Sequence, residues 1–233
     1  MVLATYDAIA DWYDSSVRSG ANSFSVPPLL QMLDDVHGQD VCDLGTGQGV
    51  VARHLAQRGA HVVGVDISAK LLALARRDEQ GEPRGIAYVQ ADAQGRLPLL
   101  DGLLDGVTCN MALTDIEDMA ATLRSVATAL RPGGWFVFSI THPCFQTPEA
   151  SWETDVDHRP SLRVRGYFRE GFWRSDNPDG VRGRVGAYHR TLSTYINELH
   201  DAGLEVERLS EPLPDRERAL RLPGTTEVPT LLL

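Results

Sequence analysis

The chain predicts an α/β fold: a mostly parallel sheet with helices on both faces. Three observations carry that expectation. Short apolar runs alternate with segments whose apolar residues recur every three or four positions, the β-α-β order that builds parallel sheets. The run Val41-Cys42-Asp43-Leu44 has the character of a central strand and leads directly into Gly45-Thr46-Gly47-Gln48-Gly49. Glycines there let the backbone turn sharply and approach a ligand. A second strand, His61 to Val65, ends in Asp66, 21 residues after Gly45. An acid at that distance holds the ribose hydroxyls in nucleotide-binding βαβ units.

Taken in order, the first segment, Thr5 to Ser16, places Tyr6, Ile9, Ala10 and Tyr13 at helical spacing. Ser25-Val26-Pro27-Pro28 opens another helix, proline being tolerated in a first turn, and Gly38 ends it. After the first strand and its glycines, Val51 and Leu55 mark an amphipathic helix. A helix from about Ala69 to Arg77 follows Asp66, with Leu71, Leu72 and Leu74 as core candidates. Ile86 to Ala91 reads as the third strand, followed by Asp92 and Ala93. Gly106 to Met111 reads as the fourth. Thr114-Asp115-Ile116-Glu117 has the form of a capping box. Ile116, Met119, Ala120, Leu123, Val126, Ala127 and Leu130 then give the clearest helical stripe in the chain. Arg131-Pro132-Gly133-Gly134 stops that helix, and Trp135 to Ile140 is the fifth strand. Leu192, Tyr195, Ile196 and Leu199 line a later helix. Leu204 to Leu209 and Glu227 to Leu233 read as the last two strands. Gly45, Asp66, Asp92, Asn110 and His142 all lie just past strand ends, the edge where parallel sheets bind ligands.

About fifty residues, 142–190, separate the fifth strand from the next clear helix. They hold Trp152, Tyr167, Phe168, Phe172, Trp173 and Tyr188, too aromatic for disorder. From His158 to Arg190 there are eight Arg against one Glu and two Asp, an excess of +5 in a chain of net charge −10. Either this segment caps a substrate pocket, as a hairpin pairing Ser161–Phe168 with Arg182–Tyr188, or it is an oligomer contact or surface hairpin. As a cap it brings Tyr167, Trp173 and Tyr188 to a substrate, and its arginines predict an acceptor with a carboxylate or other acidic group.

Two cofactor classes use a glycine turn followed by an acid, and a tight turn without a ligand is the third reading. A dinucleotide site wants G-x-G-x-x-G, and Val50 stands at its third glycine. The stretch Asp43-Leu44-Gly45-Thr46-Gly47-Gln48-Gly49 instead resembles motif I, D-x-G-x-G-x-G, of the class I S-adenosylmethionine-dependent methyltransferases. Tyr6-Asp7-Ala8-Ile9-Ala10-Asp11-Trp12-Tyr13-Asp14 is similar to the Y-D-x-x-A-x-x-Y-D start of many small-molecule members. Helix, R-P-G-G and strand resemble their post-I region, and Ile140 to Phe145, Tyr188 to Ser193 and Glu211-Pro212 resemble a bacterial subgroup. The resemblance implies a Rossmann-like, seven-stranded sheet in the order 3-2-1-4-5-7-6, ending in an antiparallel hairpin. It implies one domain over 1–233, with lid helices at about 1–37 and a cap insertion at about 142–190. S-adenosylmethionine (SAM) is then the cofactor and S-adenosylhomocysteine (SAH) the product. Asp43, Gly45, Thr46, Gly47, Gly49, Asp66 and Ile67 become cofactor residues. So do Asp92 and Ala93 at the adenine, and Asn110 and Met111 at the sulfonium end. Tyr6 and Tyr13 come to the substrate from the lid. On the residues alone, the first segment is equally a docked helix, and Asp92 a strand-end turn.

Methyl transfer is an in-line displacement that asks the protein for alignment, exclusion of water and, for a neutral acceptor, a base. His142, where the fifth strand leaves the sheet, and His189, at the far end of the cap, are the candidates, since histidine titrates near neutrality. His142 equally bonds the turn backbone before Pro143, and His189 equally caps the following helix. The expected activity is SAM-dependent methylation of a small molecule, at O or N in preference to C, within bacterial secondary metabolism. The alternatives are a SAM- or SAH-binding protein without methylation and, behind it, an NAD-dependent oxidoreductase.

The net charge of −10 argues against nucleic acid and anionic membranes as partners. No apolar run is long enough to cross a bilayer, and Met1 to Asp7 lacks the basic start of a signal peptide, so a cytoplasmic monomer or homodimer is expected. Cys42, Cys109 and Cys144 are odd in number and widely spaced, which suggests neither disulfides nor a metal site.

Overall fold

In the computed structural model, which describes residues 4–98 and 101–233 (Pro223 by its backbone alone), the glycine turn lies at the middle of a six-stranded sheet. Residues 1–3 of the expected N-terminal segment lie outside the described residues. A 3-10 turn, Thr5–Ala8, leads into α1 (Ala10–Arg18) and α2 (Val26–Gln31). Then come β1 (Asp40–Leu44), α3 (Val50–Gln57), β2 (His61–Asp66), α4 (Ala69–Gly81), β3 (Ala87–Gln90) and β4 (Leu104–Asn110). A 3-10 turn, Leu113–Asp115, precedes α5 (Met119–Ala129) and β5 (Leu130–Thr141). Residues 142–190, the segment expected to form the cap, contribute β6 (Ser151–Thr154), β7 (Pro160–Arg163), β8 (Gly171–Trp173), α6 (Val181–Arg184) and β9 (Ala187–His189). The chain closes with α7 (Leu192–Asp201), α8 (Arg216–Arg221) and β10 (Leu231–Leu232).

The sheet order is β10-β5-β4-β1-β2-β3, parallel throughout except for the antiparallel β10–β5 pair. Two-residue periodicity divides the strands between two cores. Val41 packs with Leu29, Val51 and Leu55 on one face, while Cys42 and Leu44 pack with Leu123, Val126 and Leu199 on the other. Each such Leu or Val contributes about 1.5–3 kcal/mol over the exposed state. The order reverses at β1, which has β2 on one side and β4 on the other, the place beyond whose strand ends open parallel sheets bind ligands. No helix among the described residues is long and apolar enough to cross a membrane.

The α/β class, the parallel order 3-2-1-4-5 and the antiparallel strand 7 beside strand 5 follow the expectation; strand 6, which would complete the hairpin and the count of seven, does not form. Residues 204–209 form no strand, and a reciprocal pair of 3.0 Å bonds between Ser210 and Leu233 is what joins this segment to the sheet edge. Glu205, Val206, Glu207, Arg208 and Leu209 are all exposed, so the segment has no face to bury and nothing fixes a register.

Three local expectations are also corrected. The helix start is Asp118, whose carboxylate accepts from Ala121 N–H at 2.8 Å, because Thr114 and Asp115 are drawn into the 3-10 turn at the site. Arg131-Pro132-Gly133-Gly134 bulges within β5, where register jumps from Leu104↔Leu130 to Gly106↔Trp135. The cap forms two hairpins, β6–β7 and β8–β9, instead of one. Its expected second strand is interrupted because Arg182 to Arg184 coil into α6.

Candidate active site

The floor of the site is set by Asp43. It is 1% exposed, and its carboxylate accepts from Thr46 Oγ1 (2.7 Å), Thr108 Oγ1 (2.8 Å) and Ala52 N–H (3.1 Å). One side chain thus ties the glycine loop, the neighbouring strand and the first turn of α3. Burial pushes its carboxyl up to about 6, against those three donors, which pull it down. Asp43 therefore shapes the loop from beneath, and Thr46 faces it.

Above that floor, Gly45 has a φ of 68°, and a Cβ there would collide with Ala112 Cβ. Gly47 also takes a left-handed φ, 57°. Its N–H donates to Asp66 Oδ2 at 2.8 Å, while Asp66 Oδ1 accepts from Ser68 N–H at 2.8 Å. Each oxygen keeps a lone pair. Burial raises the Asp66 carboxyl, and those backbone donors hold it down. The adjacent Ile67 is half-buried, its carbonyl accepting from Gln90 Nε2 at 3.1 Å. Past β3, Asp92 accepts from the backbone and side-chain amides of Gln94 at 3.0 and 3.1 Å, with Ala93 half-buried between them.

At the exit of β4, Asn110 Oδ1 accepts from Ser139 Oγ at 2.7 Å, and Met111 N–H donates to the Ser139 carbonyl at 2.9 Å. Met111 is held at a φ of 62°, a conformation few non-glycine residues adopt and one that clusters at functional sites. The strand ends thus bring Gly45, Thr46, Gly47, Gly49, Asp66, Ile67, Asp92, Ala93, Asn110 and Met111 to one edge.

The N-terminal segment lies against the same edge. Asp7 accepts from Ser68 Oγ at 2.6 Å and Lys70 N–H at 3.2 Å, fastening it to the start of α4. Tyr6 and Tyr13 stack edge to face at 5.1 Å. Burial pushes the Tyr13 phenol up to about 12 and the Tyr6 phenol well above its ordinary range. The Tyr6 hydroxyl donates to Asp115 Oδ2 at 3.0 Å. Asp115 also accepts from Arg182, whose second nitrogen donates to Thr114 Oγ1 at 2.7 Å.

A cavity of about 10 Å³, the size of one water, lies between the end of β5 and the cap, lined among others by Thr114, Thr141, Trp173, Tyr188, His189 and Arg190. Trp173, Tyr188 and His189 are thus brought together as the sequence suggests. Tyr167 is not among the lining residues; its hydroxyl accepts from Leu192 N–H at 3.0 Å. His189 Nε2 donates to the Tyr167 carbonyl at 2.8 Å, and its Nδ1 has no hydrogen bond among the described residues. His142 stands apart from the cavity, 2% exposed. Its Nδ1 accepts from Cys144 N–H at 3.2 Å, which puts the ring proton on Nε2, donated to Glu211 Oε1 at 2.7 Å. Both His142 nitrogens are thus taken up inside the protein.

Residues missed in the sequence are Thr114, Asp115, Arg182, Arg190 and Ser139. The first two were absorbed by a helix-start pattern, and the arginines were counted as charge without a position. Among the described residues no group of three or more His, Cys, Asp or Glu side chains could hold a metal ion.

A topological switch point with a glycine loop, an acid after β2 and a strained exit from β4 defines a nucleotide-cofactor site. Residues 42–138 match the family model described as a methyltransferase domain. The crystal structure of an S-adenosylmethionine-dependent methyltransferase from Mesorhizobium loti is similar at 34% identity and a TM-score of 0.76, covering 88% of this chain and 94% of that one. A ubiquinone biosynthesis O-methyltransferase of Aeromonas salmonicida is 31% identical over 137 residues, 57% of this chain and 58% of the relative, so the chain spans little more than half of that enzyme. A Haemonchus contortus phosphoethanolamine N-methyltransferase 2 solved with S-adenosyl-L-methionine shares the fold, with a TM-score of 0.62 at 20% identity over 88% of this chain and 44% of that one. The chain belongs to the class I SAM-dependent methyltransferases. It is a methyltransferase, and SAM is its cofactor. The residues present fit that cofactor: Gly45 and Gly47 take left-handed turns without side chains, and Asp66 keeps free lone pairs at the end of β2.

Proposed function

We propose that the chain transfers the methyl group of SAM to a small-molecule acceptor, at oxygen in preference to nitrogen or carbon, in the space between β5 and the cap. The observation that carries this is the cavity with aromatic walls, Trp173 and Tyr188, where β5 ends at Thr141. The likeness to a ubiquinone biosynthesis O-methyltransferase supports oxygen as the acceptor atom.

When bound, SAM supplies an activated methyl on a positively charged sulfur. The chain's part is to hold and align. In this reading Asp66 takes the ribose hydroxyls with its remaining lone pairs, and Ile67 covers the ring beside it. Asp92 and the Ala93 N–H meet the adenine. The Gly45–Gly49 backbone, Asn110 and Met111 hold the end that bears the methyl, with Asp43 and Thr46 fixing the loop. Tyr6 and Tyr13 close the site from the N-terminal lid. In this reading the cap moves to admit the acceptor, and its closure excludes water from the transfer. His189 takes the acceptor proton at Nδ1, the imidazole lone pair left over at the cavity wall. His142 braces the β5 exit through Glu211 instead.

Of the eight arginines from His158 to Arg190, only Arg190 lines the cavity. Arg163, Arg169, Arg182 and Arg184 pair with Glu153, Glu149, Asp115 and Asp179. Arg190 lines the cavity, 8% exposed, holding the carbonyls of Ile116 (2.6 Å) and Glu117 (2.7 Å) with no carboxylate partner among the described residues. In our reading the acceptor's acidic group is the anion this buried cation awaits. The test is a panel of hydroxylated aromatic acids and their neutral esters, followed by SAH formation and product mass. Acids turned over in preference to esters, with the preference lost in the neutral Arg190→Gln and largely kept in Arg190→Lys, are expected. Absence of SAH formation from protein that still binds SAH would favour the non-methylating alternative.

A further inference from the structure

The lid and the cap, far apart in sequence, are fastened to the same short segment. From the N-terminal side the Tyr6 hydroxyl donates to Asp115 Oδ2 at 3.0 Å. From the cap, Arg182 on α6 pairs with Asp115 Oδ1 and donates to Thr114 Oγ1 at 2.7 Å. Arg190 reaches the carbonyls of Ile116 and Glu117, the next two residues. Lid and cap also touch directly, Arg184 lying 4.3 Å over the ring of Trp12. The Asp115 and Arg182 side chains are only 21% and 17% exposed, so the pair works where solvent screens it little. Removing Arg182 leaves Tyr6 facing a carboxylate that has lost its cation.

We infer that Asp115 and Arg182 are positioning residues that lock lid and cap into one closed unit, so that release of SAM or SAH from beneath the lid is governed by a residue of the cap. This rests on the reading of residues 5–18 as the cover of the cofactor. Two consequences follow from the geometry. The lid cannot lift without freeing Tyr6 from Asp115, and the cap cannot open for an acceptor without freeing Arg182 from the same carboxylate. An open cap therefore loosens the lid, and cofactor residence shortens whenever the acceptor site is open.

The test is the rate of SAH release, followed by stopped-flow displacement with excess SAM, in wild type, Tyr6→Phe, Arg182→Met, Arg182→Lys and the Tyr6→Phe/Arg182→Met double variant. Arg182→Met is expected to speed release about tenfold, in the range of couplings between separate sites. Arg182→Lys restores the charge without the two-nitrogen fork and is expected to fall between Arg182→Met and wild type. The double variant is expected to release SAH little faster than the faster single variant, because both arms end on one carboxylate. In the cofactor-free protein, amides 5–18 exchange faster with solvent in Arg182→Met than in wild type, although Arg182 lies in the cap. Release within twofold of wild type in the single variants would overturn the inference, as would effects that multiply in full. Should Arg182→Met not fold, Tyr6→Phe and Arg182→Lys decide the matter alone. Wild-type SAH binding is the control: its loss would strike at the cofactor reading itself, whereas unchanged rates in the variants strike only at the coupling.

Discussion

Gly45 has a φ of 68° and no room for a side chain, because a Cβ would collide with Ala112. Gly45→Ala is therefore expected to weaken SAH binding about a hundredfold, the cost of left-handed strain and overpacking at a loop that cannot yield, read by calorimetric titration. Asp43 makes a different prediction. Burial lifts its carboxyl from 3.8 to about 6, against the Thr46, Thr108 and Ala52 donors. The folded state thus binds this proton more tightly than the unfolded state. The contribution favours folding in full below pH 3.8 and is lost as pH rises through about 6, some 3 kcal/mol at the conversion of 1.36 kcal/mol per unit. Scanning calorimetry from pH 4 to 6.5 should show the stability gap between wild type and Asp43→Asn shrink as pH rises; a constant gap would remove that role. The acid's presence before the glycines was legible in the sequence, but its partner Thr108 was not. That contact exists because β1 and β4 are neighbours in register, Asp43 facing Thr108, which no local pattern records. His142 shows the opposite failure: a histidine at a strand end reads as a base, and only the partners Cys144 and Glu211 reveal that its nitrogens are engaged.

At the scale of elements, a long stripe with three- and four-residue spacing decides its own structure. The helix α5 was legible because Met119, Leu123 and Val126 repeat on one face and end up in the core between the sheet and α7. Leu123 is 1% exposed, so Leu123→Ala should cost about 3 kcal/mol, lowering the melting temperature by roughly 6–12 °C in a chain of this size. Segment 142–190 was legible as an insertion and not as a pairing pattern. Of its strands, β6, β7 and β8 are three or four residues long, mostly exposed, and carry no alternating face that would fix a partner, and β9, with Ala187 and His189 buried, is only three residues long. Residues 204–209 failed as a strand for the same reason. The start of α5 moved because Thr114 and Asp115 gain more from Tyr6 and Arg182 than from capping, while Asp118 was available to cap. A sequence window of ten residues contains neither of those partners.

At the scale of the molecule, the sheet, its switch point and the edge that carries the ligand were legible because they follow from strand order and chirality more than from any one contact. The relation between lid and cap was not, since it depends on residues some 67 positions apart in the chain meeting at Asp115. A site shared by the loop, the lid and the cap should stabilise the whole fold when filled. SAH at about a hundred times its dissociation constant is expected to add about 2.7 kcal/mol, a rise in melting temperature of roughly 5–11 °C, checked by differential scanning fluorimetry. The most direct measurement is calorimetric titration of the folded protein with SAM, SAH and NAD in parallel, in wild type and Asp66→Ala. Micromolar binding of SAM and SAH without NAD, lost in an Asp66→Ala variant that still melts cooperatively, is the expected result. Silence toward both sulfur compounds from a folded sample, or binding of NAD in their place, would contradict the cofactor site described at Gly45–Gly49 and Asp66.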